Sequence, residues 1–231
     1  MKFYTLYSGI NVDTENLPEL LTQLQAEFEP GKVTFPDHRP HWQTLLQNPG
    51  LLKELEADSS RVPFRYACGD FAGASRYAVR DPNVRKGKKA ALVVELHVLP
   101  EQLVVDFRDG LGFVLQQTPV SLAPDIRKKR EDFLLACYGP RLLELYQNTG
   151  HIKDTEERDG LLNAFTFCPD VIEHHYRNGY VFAGRYDTLF RSAFRVLLDL
   201  PAIPYNIILL GNDHRQHPEH LVADFHLSDL Q

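Results

Sequence analysis

The sequence predicts an α+β fold in a single domain, on three observations. Segments with a two-residue hydrophobic alternation and segments with a 3.6-residue period follow each other without a regular βα order, which disfavours a doubly wound sheet. No Pro/Gly/Ser-rich linker, repeat or low-complexity tract divides the 231 residues, so residues 1–231 read as one domain. A chain of this length buries roughly 70% of the surface its unfolded form exposes, so its core closes without disulfide or metal.

Phe3 to Ile10 alternates as a strand and ends at Ser8-Gly9. Asp13 or Thr14 can cap a helix carrying Leu17, Leu20, Leu21, Leu24 and Phe28 at helical spacing, and Pro30-Gly31 stops it. Val33 to Pro40 reads as loop. A helical piece with Trp42, Leu45 and Leu46 follows, interrupted by Pro49-Gly50 before Leu51, Leu52 and Leu55. Val62 to Ala67 reads as a strand and Gly69 to Val79 as a small helix with Phe71, Ala74 and Ala78 on one face. Ala90 to Leu99 is the strongest strand. It is apolar through Val94, then alternates, with Glu95 and His97 facing one way and Leu96 and Val98 the other. Leu103 to Phe107 is another strand, and Ser121 to Gln147 is helical with a break at Gly139-Pro140. Asn148 to Gly160 is a polar loop. A helix-like stretch at Leu161 to Phe167 comes next, then a strand at Tyr180 to Ala183 and a helix from Asp187 to Leu200. Tyr205 to Leu210 and Leu221 to Leu227 close the chain as strands.

Net charge of −6 argues against a nucleic-acid footprint, which shows as a basic domain. The basic runs at Arg85 to Lys89 and Arg127 to Arg130 read as a solvated turn and the outer face of a helix start. Cys68, Cys137 and Cys168 fit neither a zinc spacing nor a disulfide framework, which predicts a reducing, cytoplasmic compartment. The first residues lack the apolar core of a signal peptide, and no stretch approaches the ~20 apolar residues of a membrane span.

Two segments together resemble the ADP-ribosyltransferase superfamily. The first is Leu6-Tyr7-Ser8-Gly9, at the end of a strand followed by a helix. The second runs from Tyr66-Ala67-Cys68-Gly69-Asp70 through Arg76-Tyr77-Ala78, a strand-to-helix passage of small residues. Ala91 to Asp106 then fits the family's following pair of strands. The resemblance covers about the first half of the chain. It implies split, bent sheets of mixed or antiparallel strands with flanking helices. It also implies NAD as substrate in the cleft between them, and transfer of ADP-ribose to a protein or small acceptor. Tyr66 would stack on the nicotinamide ring. Ser8 and the Gly9 backbone would hold the ribose region, with Tyr7 of the first segment and Tyr77 of the second also cofactor-binding. Ser8 stands where the family places an Arg or His, and a hydroxyl cannot reproduce a two-point grip on phosphate. Arg65 either takes over that contact or faces solvent. Glu173 is the candidate for the family's late-strand carboxylate, which stabilises the oxocarbenium-like state electrostatically, with Glu219 behind it.

Other clusters have plainer readings beside the chemical ones. His214, His217 and His220, with Asp213 and Glu219, could ligate a metal and support a metal-dependent hydrolase, but equally suit a polar hairpin. His174-His175 diverge on any regular element. His38, His41 and Trp42 form either the lip of a cleft or a core anchor with a polar rim, and Arg61 flanks the Tyr66 strand. Asp154, Glu156, Glu157 and Asp159 are either paired carboxylates or a solvated surface. Cys68, at a strand-to-helix turn, reads as a small buried residue. A non-catalytic interaction protein on a related fold is the alternative to the transferase.

Overall fold

The computed structural model describes residues 3–28, 64–106, 114–115, 119–148, 152, 154, 158, 161, 164–183, 188–198 and 203–211, with backbone only at 180–183 and 188–190. His38, His41, Trp42, Arg61, Glu156, Glu157, Asp159, Glu219, the terminal histidines and the strand expected at 221–227 lie outside them.

The chain opens with β1 (Tyr4–Asp13) and, after a 3-10 turn, α1 (Leu17–Phe28). Next come β2 (Phe64–Cys68), α2 (Phe71–Val79), the single turn α3 (Pro82–Arg85), β3 (Lys89–Val98) and β4 (Leu103–Val105). Helices α4 (Pro124–Tyr138), α5 (Pro140–Asn148) and α6 (Pro169–Asn178) follow. The hairpin β5 (Tyr180–Ala183) and β6 (Thr188–Arg191), then β7 (Ala193–Leu197) and β8 (Tyr205–Leu209), complete the described chain.

Among the described residues six strands form one antiparallel sheet in the order β4-β7-β2-β1-β3-β8, and β5 pairs with β6 separately. The fold is therefore α+β with flanking helices, as expected. The sheet is not evenly knit. β1 and β3 pair along their whole length, from Tyr4↔Val98 to Asp13↔Lys89, and β2 pairs with β7 from Phe64↔Leu197 to Cys68↔Ala193. Between β1 and β2 the register holds one pair, Tyr7↔Cys68. Two three-stranded halves, β4-β7-β2 and β1-β3-β8, thus meet at a single rung.

Alternation assigns the two faces. Tyr4, Leu6, Ala67, Leu92, Val94, Leu96, Val98, Leu103, Val105, Phe194 and Val196 point to a large core covered by α1, α4, α5 and α6. The opposite face buries a smaller cluster, Cys68, Ala91 and Val93, under Ala74 and Ala78 of α2 and Val84 of α3. This explains the pattern of β3. It is apolar on both faces where α2 covers it and alternates beyond, where Glu95 and His97 are only partly buried. α2 lies close enough that a Cβ at Gly9 would overlap the Ala74 carbonyl oxygen, so glycine is required there by close approach.

Two expectations are corrected, and one helix is added to them. Residues 188–197 are two strands, not a helix. Phe194 and Val196 alternate with Arg195 and Leu197, and ladders to β2 and β4 outweigh helix propensity. Residues 169–178 are a helix, begun by Pro169 in its first turn, with Val171, Ile172 and His175 inward. Arg130, expected on an outer face, is 1% exposed, whereas Arg127 and Lys128 of the same run pair outward with Glu131 and Asp132. No helix among the described residues is long and apolar enough to cross a membrane.

Replacing Gly9 by Ala forces α2 off β1. An unfolding free energy lower by about 1–3 kcal/mol is expected from overpacking, read from denaturant midpoints.

Candidate functional site

The rung that joins the half-sheets is fixed by the residues just after it. The Gly69 N–H donates to the Arg191 carbonyl at 2.6 Å, and a Cβ at Gly69 would overlap the Ser192 hydroxyl. Asp70 accepts from the Gly73 N–H, capping α2, and from the Arg191 N–H at 2.7 Å, holding the end of β6. Ser192 follows with φ of +44°, the sole non-glycine in that region among the described residues, and it is fully buried. That backbone costs about 1–3 kcal/mol and persists because its surroundings over-determine it. Its N–H donates to the Gly179 carbonyl at 2.8 Å.

His175 locks the core side of the same junction. Its Nε2 accepts from the Ala193 N–H at 2.9 Å, which leaves Nδ1–H to donate to the Cys137 carbonyl at 3.0 Å. The ring stacks on Tyr138 at 4.5 Å and meets the edge of Phe194 at 5.2 Å. Burial pushes the imidazole down to about 4. Both hydrogen bonds fit the neutral ring alone, since a proton on Nε2 would face the Ala193 N–H. His174 turns the other way, to the Ala136 carbonyl, as adjacent helical residues must.

The second face carries the accessible chemistry. On β2, Tyr66 is 40% exposed and stands edge-on to Phe64 at 4.9 Å. Arg195 of β7 is the register partner of Tyr66, and its guanidinium lies 5.6 Å from the Phe64 ring centre. Across the rung, Tyr7 meets the edge of Phe71 at 5.8 Å. Burial first, and the Glu95 carboxylate second, hold its phenol above the ordinary value. Glu95 also meets His97 Nε2 at 3.2 Å, and His97 Nδ1 lies 3.3 Å from Thr5 Oγ1. Tyr77 is 39% exposed on α2, beneath the Arg80 guanidinium.

The predicted residues are distributed unevenly over this geometry. Tyr7, Tyr66 and Tyr77 stand on the β2–α2 side of the sheet. Ser8 is 5% exposed and belongs by register to the core face, beside Leu6 and Val94. Gly9 lies under α2. Arg65 is tied to Glu27 of α1 and lies over the Phe28 ring, so it is neither solvated nor on the Tyr66 face. Glu173 sits on α6, where the Tyr4 hydroxyl donates to it and Arg177 pairs with it. Tyr4 and α6 belong to the large core, so Glu173 and Tyr66 stand on opposite sides of the sheet. Cys68 is buried, and burial, reinforced by the Asp70 charge, pushes its thiol well above the ordinary value, which removes it as a nucleophile. All three cysteines are free and buried.

Arg195 is the functional candidate that sequence reasoning passed over. Its signal was the alternation of Phe194 and Val196 with Arg195, concealed by reading the segment as a helix. Among the described residues no three His, Cys, Asp or Glu side chains converge to hold a metal ion. Comparison of the chain with family models, with curated proteins and with solved structures found no match.

The His175 environment predicts a pH dependence. Unfolded histidine takes its proton near 6.5 and the folded ring at about 4, so the unfolded chain binds more protons between the two. The contribution is fully present above pH 6.5 and is lost as pH falls toward 4, by about 3 kcal/mol. Denaturant midpoints measured from pH 7 to pH 4 should show this fall, and His175→Gln should flatten it.

Proposed function

We propose that this chain binds NAD on the Tyr66 face, in the manner of the ADP-ribosyltransferases that its first half resembles. The observation that carries the reading is the single rung Tyr7↔Cys68 between two half-sheets, with an exposed aromatic ring two residues away on β2. The ladder between the halves narrows there to one pair, and Tyr66 beside it supplies an accessible face for a flat heterocycle. Bound there, NAD would supply the glycosidic bond to nicotinamide that ADP-ribosyl transfer breaks. The chain's own share is to hold the ring with Tyr66 and to keep the joint rigid through Asp70. A protein or small acceptor would complete the transferase reading.

A second reading, binding without transfer, is favoured by Glu173. That carboxylate is held by Tyr4 and Arg177 on the far side of the sheet, away from Tyr66. The readings separate on release of free nicotinamide from NAD, which transfer requires and binding alone does not produce.

With NAD at about ten times its Kd, thermal unfolding should rise by roughly 3–6 °C, through mass action on the folded state. Tyr66→Ala should lose that rise while keeping the unliganded Tm, because the ring is 40% exposed. An unchanged NAD shift in Tyr66→Ala, or none in the parent chain, contradicts the proposal.

A further inference from the structure

We infer that the outer surface of α2, α3 and the turn into β3 binds a single-stranded nucleic acid, holding its phosphates with Arg76, Arg85, Lys86 and Lys88 and stacking a base on Tyr77. The inference does not depend on the dinucleotide reading. From Arg76 to Lys89 the chain carries six basic residues and one acidic, a net charge of +5. The whole chain totals −6, which leaves −11 elsewhere. A separation of this size makes a local positive field that the total conceals.

The fold gathers these charges on one surface. Ala74 and Ala78 of α2 and Val84 of α3 pack inward on Ala91 and Val93 of β3, so the two helices form one layer over the sheet. Arg76, Tyr77, Arg80, Arg85, Lys86 and Lys88 are exposed on its outside. A Cβ at Gly87, between the two lysines, would meet nothing within 4 Å, so the turn itself is open to an approaching strand. The cluster also differs from the chain's other cations in lacking carboxylates. Arg65, Arg127, Lys128, Arg141 and Arg177 each pair with one. Here Lys89 takes up Asp81, the one acid of the stretch, and none of Arg76, Arg85, Lys86 and Lys88 pairs with a carboxylate of the described residues.

Tyr77 selects among anionic partners. Its ring is 39% exposed amid the cations, with the Arg80 guanidinium 5.5 Å from its centre. An unpaired base can stack on such a ring, whereas a duplex keeps its bases inside. An anionic bilayer rewards inserted apolar side chains, and the other large exposed hydrophobics, Phe3, Tyr66, Val120, Leu135 and Leu209, lie off this layer.

The test is fluorescence anisotropy of a labelled oligothymidylate titrated with the full chain. The oligonucleotide should bind at low salt, and log K should fall with log salt at a slope of about −3, four phosphates at roughly −0.7 each. Replacing the four cations together, as Arg76→Gln, Arg85→Gln, Lys86→Gln and Lys88→Gln, should weaken binding about tenfold or more and flatten the slope. Tyr77→Ala should weaken it roughly tenfold at an unchanged slope. Lys128→Gln with Lys129→Gln, in the other basic run, should change neither quantity. Absence of binding at low salt overturns the inference, as does unaltered binding in the quadruple variant or in Tyr77→Ala. Tighter binding to the same oligonucleotide as a duplex, or to phosphatidylserine vesicles, overturns it as well.

Discussion

Asp70 divides its carboxylate between two parts of the molecule. One oxygen caps α2 and so sets that helix over Gly9 of β1, while the other holds the Arg191 N–H at the end of β6. Among the described residues the half-sheets share one ladder pair, Tyr7↔Cys68, and this carboxylate, with the Gly69–Arg191 bond beside it, ties the chain that leaves that pair to the strand leading into β7, above a core common to both halves. A joint made of one rung and one capping residue holds little surface. It is stiff because every group in it is constrained: Gly69 by the Ser192 hydroxyl, Ser192 by the Gly179 carbonyl, and Ala193 by His175. The strained backbone at Ser192 is stable only inside that frame.

The consequence is a sheet with two unlike faces. One is buried under four helices and supplies the core, in which Phe194 and Val196 of β7 join Leu6 and Leu96. The other is covered by α2 only in part: Tyr7 packs against Phe71 of that helix, and Tyr66, Arg195, Glu95 and His97 lie on the same face. The exposed Tyr66 and the ionisable groups of Glu95, His97 and Arg195 are therefore gathered on one face of the sheet. Glu173 lies on the other side of the sheet from Tyr66, since α6 packs against the core face.

Local patterns made much of this legible in the sequence. The first strand, the helix after it, the passage from Phe64 to Val79, the two-sided strand Lys89–Val98 and the Gly139-Pro140 helix break follow from alternation, helical periodicity and breakers, although the first strand runs past Ser8-Gly9 to Asp13 and Asp13 makes no side-chain cap. The errors came where distant partners decide. Residues 188–197 carry helix-compatible letters, yet ladders to β2 and β4 make them strands, and with the wrong element Arg195 could not be placed beside Tyr66. Ser8 follows a similar logic. Its type and position in the motif were visible, but which face it takes depends on the pairing of β1 with β3. Arg65 needed knowledge of Glu27, 38 residues away along the chain.

NAD is proposed to bind on the Tyr66 side of the sheet, and titrating it into the isotope-labelled full chain while following backbone amide shifts by NMR tests this. The predicted result is saturable shifts concentrated at Tyr66, Cys68, Tyr7 and Arg195. Shifts confined to Tyr4 and the α6 residues around Glu173, or no shifts at millimolar NAD, would contradict it.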